Sequence, residues 1–396
     1  MSTNDKWIDS IQTRLNACSL ETLYTTIHNR YPLIIGCYQL NESQQEGGES
    51  SSSRSGELML HSINSDLQFG KENEVKVIDT DSGVLDGKWL QNEPFQFNES
   101  SSYMYATANA SGAINVYKLD EDESNDSIQL KHVCASDADA DTNGLALSLA
   151  WDECNYQHKD NTSSTRIVSS YSQGSLAVHN VQCTSGEMQM EETHRWNAHT
   201  LFKHPSEVWT TCFASNIHYN TYADTVISGG DDCIMKLWDL RICGSGGSGG
   251  SNPKPSSVKT DFEAGVTAVA YHPFLEHVFA VGSYDEGLRI WDMRRLGEPL
   301  CNINVGGGVW RIKWHPRDVD RILVGAMHGG CRIVQVPGLG LHSASDDETG
   351  VSINVVKEFI EHESMAYGAD WIYDEANGYE AAASCSFYDR QAFIWD

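Results

Sequence analysis

Three stretches of the chain close on the same order of polar and apolar positions. They are Ser228-Gly-Gly-Asp-Asp-Cys-Ile-Met-Lys-Leu-Trp238-Asp239, Gly282-Ser-Tyr-Asp-Glu-Gly-Leu-Arg-Ile-Trp291-Asp292 and Ser386-Phe-Tyr-Asp-Arg-Gln-Ala-Phe-Ile-Trp395-Asp396. In each, an aspartate (Asp232, Asp285, Asp389) stands six residues before a tryptophan. Between the two lie a turn and an alternation of apolar residues, the pattern of a β-hairpin. Used as a ruler, this spacing finds four weaker copies. These are GELMLH ending at His61, GAINVY at Tyr117, GSLAVH at His179 and GGCRIV at Val334. Seven equivalent strands are therefore expected, ending at 61, 117, 179, 238, 291, 334 and 395.

The repeat resembles the WD40 repeat, in which each copy forms one four-stranded propeller blade. A blade cannot bury both of its faces alone, so the ring must close to be stable. The expectation is an all-β fold: one seven-bladed WD40 β-propeller over residues 1–396. The last repeat stops on a third strand, so its outer strand should come from the N-terminus, within residues 6–20, beside residues 391–395. Spacings longer than usual imply insertions. Residues 41–56, 120–142 and 343–350 are polar, Ser-rich or acidic and read as solvated loops. Residues 244–251, GSGGSGGS, read as an engineered Gly/Ser linker in place of a natural loop and carry no functional signal.

Composition narrows the partners. Hydrophobic residues make up 40% of the chain, enough for a sizeable core. Asp plus Glu number 55 against 27 Lys plus Arg, a net charge of −28. That excludes phosphate-neutralising nucleic-acid binding and a polybasic membrane anchor, and leaves a basic protein partner open. The longest apolar runs, such as Leu33–Tyr38, fall far short of the roughly 20 residues of a membrane span. No secretion signal is visible, and the 11 cysteines form no CxxC pairs. Reduced thiols and a cytoplasmic, monomeric protein are expected. No His-Glu-x-x-His or clustered Cys/His spacing suggests a metal, and Gly306-Gly-Gly is not followed by Lys-Ser/Thr, so no cofactor is expected.

Some segments go beyond the generic repeat. They are His362-Glu-Ser-Met-Ala-Tyr-Gly-Ala-Asp-Trp371, Ser386-Phe-Tyr-Asp389, Gly306-Gly-Gly-Val-Trp-Arg-Ile-Lys-Trp-His-Pro316, His272-Pro with Gly282-Ser-Tyr-Asp285, and Gly36-Cys-Tyr-Gln-Leu40. Together they resemble the diphthine methyl ester hydrolase family of WD40 proteins, from about residue 23 to the end of the chain. The resemblance implies hydrolysis of a methyl ester on methylated diphthine, a modified histidine of elongation factor two, on the route to diphthamide.

Ester hydrolysis needs a nucleophile, a base and oxyanion donors. No Gly-x-Ser-x-Gly elbow exists outside the linker, so catalytic groups must gather on loops of different blades. In WD40 blades a histidine nine residues before a large apolar residue of the inner strand braces the turn aspartate. His204, before Phe213, and His362, before Trp371, fit that position. Glu207, Asp231, Tyr284, Ser364 and Tyr388 fall at positions that face the narrow end of the ring. Trp209, Trp310 and Tyr367 are equivalent in three blades, and either stack on an imidazole or merely pack. Arg311 either meets a substrate carboxylate or pairs with an acidic neighbour. His328 replaces the turn aspartate of the sixth blade and belongs to a residue type that titrates near neutrality. Ser364 with His328 as nucleophile and base, a water directed by His and Glu207, and a merely degenerate blade all remain open. The expected catalytic residues are His328, Ser364 and His362, and the expected substrate contacts are Glu207, Trp310, Arg311, Tyr367 and Tyr388. A non-catalytic interaction scaffold is the alternative. One form of it is a ubiquitin-ligase receptor using the Trp-Asp-x-Arg ends Trp238–Arg241 and Trp291–Arg294.

Overall fold

The structure is a computed structural model and describes residues 6–44, 50–70, 75–91, 94–97, 100–122, 127–137, 144–159, 162–243, 253–341, 351–374 and 379–396. Seven antiparallel sheets, each with four strands in sequential order on its main path, form the blades. Their inner strands are Asn16–Thr22, Val84–Trp89, Ala146–Trp151, Val208–Phe213, Val266–Tyr271, Arg311–Trp314 and Ala366–Asp374. The third strands contain every position the repeat spacing marked, from His61 in Ser50–Ile63 to Trp395 in Gln391–Trp395. Asp9–Gln12 supplies the outer strand of the seventh blade, with Asp9 opposite Ile394 and Gln12 opposite Gln391. The ring is thus closed by the N-terminal strand, as the sequence required. Among the described residues the only helix is a 3-10 turn, Leu339–Leu341, so none is long and apolar enough to cross a membrane.

Burial explains which strands read as apolar runs and which alternate. The second strand of the fifth blade, Val278–Ser283, is buried at every residue because blades cover both of its faces. The outer strand Glu187–Asn197 shows one face to solvent, and its pattern alternates. Seven apolar clusters fill the seven gaps between neighbouring blades. The four fully buried tryptophans Trp238, Trp291, Trp371 and Trp395 sit in them.

The turn aspartates have a local cause. Asp285 accepts the Gly287 amide at 2.9 Å and Asp389 accepts the Gln391 amide at 3.4 Å. The residue between, Glu286 or Arg390, takes a left-handed φ of 66° or 56°. The carboxylate stabilises a turn the backbone would otherwise resist. In the fourth blade Asp232 accepts from His199, whose other ring nitrogen meets Ser228 at 2.8 Å, and Trp238 donates to the same hydroxyl at 2.9 Å. The brace is therefore His199 and not His204, which is exposed in a small hairpin, Thr200–Leu201 with His204–Pro205. That hairpin adds residues between the brace and the inner strand and defeats the fixed spacing. Part of 41–56 is paired rather than looped: the hairpin runs out until Gln44 faces Ser50. Ladder bonds continue there beyond the reach of the core. Within 120–142, Asp122 faces Ser127 and the outer strand continues to Ala135. Residues 244–251 and 343–350 lie outside the described residues.

Charged side chains cross the channel at mid-depth. Lys313 of the sixth blade bonds Glu21 of the first, and Asp370 of the seventh at 3.1 Å. Lys88 of the second blade meets Glu21 and Asp86, each at 2.8 Å. Arg311 reaches Asp86 at 3.0 Å across the channel. Asp370 also accepts from the Tyr24 hydroxyl at 2.5 Å and from the Thr22 amide at 2.9 Å. Three carboxylates and three cations thus balance in a nearly dry place. Burial raises the cost of charge on Glu21, but Lys313, Lys88 and Arg311 overcome it and hold its carboxyl low. Burial raises the Asp370 carboxyl, against the pull of Lys313.

Lys313→Met should leave Glu21 and Asp370 buried without their shared cation and cost about 3–5 kcal/mol. The triple variant Lys313→Met with Glu21→Gln and Asp370→Asn should recover most of it. Urea unfolding checks this, and equal losses for the two variants would contradict it.

Acid should weaken the fold through its histidines. His61 is buried against Phe69 with no partner for either ring nitrogen, and burial lowers its pKa from the usual 6.5 to about 4. His179, His272 and His362 are lowered by burial to about 4 as well. The folded state keeps these rings neutral, so their stability is complete above 6.5 and is lost as pH falls towards 4. Melting temperature should drop between these limits, and less steeply for His61→Leu. Parallel curves would remove His61 from the account.

Candidate functional site at the channel mouth

The inner strands all enter the channel from one end, and near that end six of the seven carry a bulge. The extra residues are Cys18, Leu85, Leu147, Trp209, Thr267 and Tyr367. In the sixth blade Trp310 and Arg311 both oppose Gly325, which is the same two-against-one arrangement. A bulge takes a side chain out of the strand's alternation and re-aims it. In blades four, six and seven that side chain is a large aromatic.

These aromatics join a continuous collar. Trp209 and Trp310 have ring centroids 5.7 Å apart, and Tyr284, from the turn of the fifth blade, lies 6.4 Å from Trp209 and 5.9 Å from Trp310. Trp310 meets Tyr367 at 5.0 Å, Tyr367 meets Phe387 at 5.6 Å, and Phe387 meets Tyr38 of the first blade at 5.0 Å. Phe387 is buried, and the other five rings are half-buried. Behind Trp209 and Trp310 a cavity of about 1100 Å³ runs along the channel to Phe274, Pro316 and Arg317 at the far end.

The collar's rim is acidic. Asp231 is exposed and accepts the Trp209 indole N–H at 3.1 Å. Its own amide donates to the Glu207 carbonyl at 2.9 Å, which fixes Glu207 beside it. Burial, reinforced by the Asp231 charge, raises the Tyr284 phenol to about 12, so it stays neutral. Arg311 lies below the rim and is committed to Asp86, whose carboxylate together with that of Glu21 holds the guanidinium charged against burial. Of the two expectations for Arg311, the structure gives the acidic neighbour.

The remaining expected residues gather in a second hollow of about 270 Å³ beside the collar, lined by His328, His362, Glu363, Ser364, Met365 and Tyr388. Phe387, stacked edge-on to Tyr388 at 4.9 Å, separates it from the collar. The structure does not join Ser364 to His328 by a hydrogen bond. The Ser364 hydroxyl accepts the Tyr388 amide at 3.1 Å, and His328 is exposed on its turn. His362 has both ring nitrogens on serine hydroxyls, Ser386 and Ser384, each at 2.7 Å, and Trp395 donates to Ser384. It is the brace of the seventh blade, and burial lowers its pKa to about 4. The Trp-Asp-x-Arg ends close on themselves, Arg241 on Asp239 and Arg294 on Asp292, each at 2.6 Å.

Comparison with known proteins now has a geometry to attach to. The family model for the WD domain, G-beta repeat, matches residues 196–239 and 255–292. The solved "Crystal Structure of Mitotic Checkpoint Complex" contains a chain that superposes with a TM-score of 0.59 at 14% identity, covering 98% of this chain and 92% of that one, which shows the fold alone. A diphthine methyltransferase homolog of Dictyostelium discoideum is 32% identical over 81% of this chain and 78% of its own length. The diphthine methyltransferase of Mus musculus is 30% identical over 92% of this chain and 69% of its own length. These names describe methyl transfer, so the expectation of a methyl ester hydrolase is corrected on that ground. The propeller, its repeat and the similarity over most of both chains place this chain in the diphthine methyltransferase family of WD40-repeat proteins.

Proposed function

We propose that this chain acts in methyl transfer at diphthine, in the synthesis of diphthamide, on a protein substrate that presents the modified histidine to the aromatic collar. Elongation factor two is the substrate protein this reading names. The observation that carries it is the unbroken run of six rings at the open end of the channel. A flat imidazole on a protein loop needs a narrow, aromatic-walled entry that removes water without demanding fixed hydrogen bonds, and stacked rings supply it. A net charge of −28 favours encounter with a basic face of the partner.

In methyl transfer a substrate atom attacks the methyl carbon while the bond to the donor breaks and its electron pair leaves with the donor. The residues here hold and desolvate the acceptor: Trp310 and Tyr367 wall the side chain, and Asp231 with Glu207 keeps the rim negative. Among the described residues no Gly-rich strand-to-helix loop is available for a nucleoside-type donor, so the collar is assigned the acceptor alone.

Purified protein, substrate protein and an isotopically labelled methyl donor should give a substrate heavier by one labelled methyl. Trp310→Ala should lower kcat/KM by about tenfold or more, ~1.4 kcal/mol or above, with the circular dichroism spectrum unchanged. A substrate that becomes lighter, or full activity in Trp310→Ala, would overturn the reading.

A further inference from the structure

The collar has a property that stacking on a neutral ring does not use. Its corner of Trp209, Tyr284 and Trp310 gathers three π faces within 6.4 Å of one another. One of its indoles is hydrogen-bonded to a carboxylate, Trp209 to Asp231 at 3.1 Å. A carboxylate on an indole N–H pushes electron density into the ring and strengthens the face as a cation acceptor. Among the described residues no lysine, arginine or histidine is within ion-pair distance of Asp231 or Glu207. Other turn carboxylates are neutralised in place: Asp285 is clamped by Arg289 at 2.8 Å, and Asp232 by His199 and Lys236. The charge beside the collar is the one left without a cation of its own.

We propose that this corner is a binding site for a methylated ammonium group. The assignment deepens the reading above and rests on the collar as the place where the substrate side chain enters. The class follows from the surroundings. A primary ammonium carries three donors and a tight hydration shell, and the three rings offer no acceptors to replace that water. A guanidinium needs in-plane acceptors for its five donors, and the indole already occupies an oxygen of Asp231. A quaternary ammonium has no donor, spreads its charge over its methyl groups and is weakly hydrated. It gains from π faces and from a carboxylate nearby that it need not touch. The site would thus select the degree of methylation, by accepting the cation only once its N–H groups are gone.

The test uses free small molecules and the whole protein, with no methyl transfer measured, so it stands or falls separately from the catalytic reading. Choline, its carbon isostere 3,3-dimethylbutan-1-ol and ethanolamine are titrated while the indole N–H resonances of the tryptophans are followed by nitrogen-15 NMR. Choline should shift the Trp209 signal and bind about tenfold more tightly than either companion. Trp310→Leu should reduce choline to the level of the isostere. Asp231→Asn, an exposed change that keeps the indole hydrogen bond, should weaken choline about threefold and leave the isostere unchanged. Equal binding of choline and isostere would mean apolar contact only. Equal binding of choline and ethanolamine would mean charge without regard to methylation. Either result, or choline binding that both variants leave intact, overturns the proposal.

Discussion

The charge cluster that spans the channel is the constraint on which the rest of the structure hangs. A seven-bladed ring must be closed where its two ends meet, and here that seam lies between blades seven and one. Glu21, Asp86, Lys88, Arg311, Lys313 and Asp370 come from blades one, two, six and seven, on both sides of the seam. The same seam is closed tightly by backbone: a Cβ on Gly368 would meet the Leu20 amide at 2.7 Å and the Cys385 sulfur at 2.5 Å. Such a cluster is not a cheap source of stability, because six charges have left water. Its worth is positional, since each strand can satisfy its charge at only one depth.

That depth sets the site. With Arg311 held down on Asp86, its neighbour Trp310 stands up at the rim, and the sixth blade presents an aromatic instead of a cation. The bulges at Trp209 and Tyr367 do the same in blades four and seven. Polar chemistry is thereby divided by level: balanced charge at mid-channel, aromatic rings above it, and the unbalanced carboxylate of Asp231 outside. The histidines follow the same division. His199 and His362 are consumed in bracing blades, and His328 lies outside the collar.

Much of the ring was legible because its signals are local. The aspartate-to-tryptophan spacing reflects one hairpin turn, and a chain that stopped on a third strand needed an outer strand from elsewhere. His199 escaped because the inserted hairpin Thr200–Pro205 broke a fixed spacing. The pairing of 41–44 with 50–56 escaped because ladder bonds do not require apolar side chains. The collar was half legible: Trp209, Trp310 and Tyr367 share a repeat position, whereas Phe387 and Tyr38 join only through the closure of blade seven onto blade one. The charge cluster was visible only as anomalies, Asp86, Lys313 and Asp370 sitting in strands otherwise apolar. Nothing local says that Asp86 and Arg311, far apart in sequence, face each other across a channel. The expected Ser364 and His328 pair failed for the opposite reason, since proximity of blades was read as alignment of side chains.

The central claim is that the collar receives the modified histidine. The most direct measurement is the indole N–H spectrum of the full chain on addition of elongation factor two carrying diphthine, compared with the same factor carrying unmodified histidine. The account predicts shifts of the Trp209 and Trp310 signals with the modified factor only, with Trp238 and Trp395 unmoved in their blade cores. Shifts that are the same for both factors, or that spare Trp209 and Trp310, would contradict it.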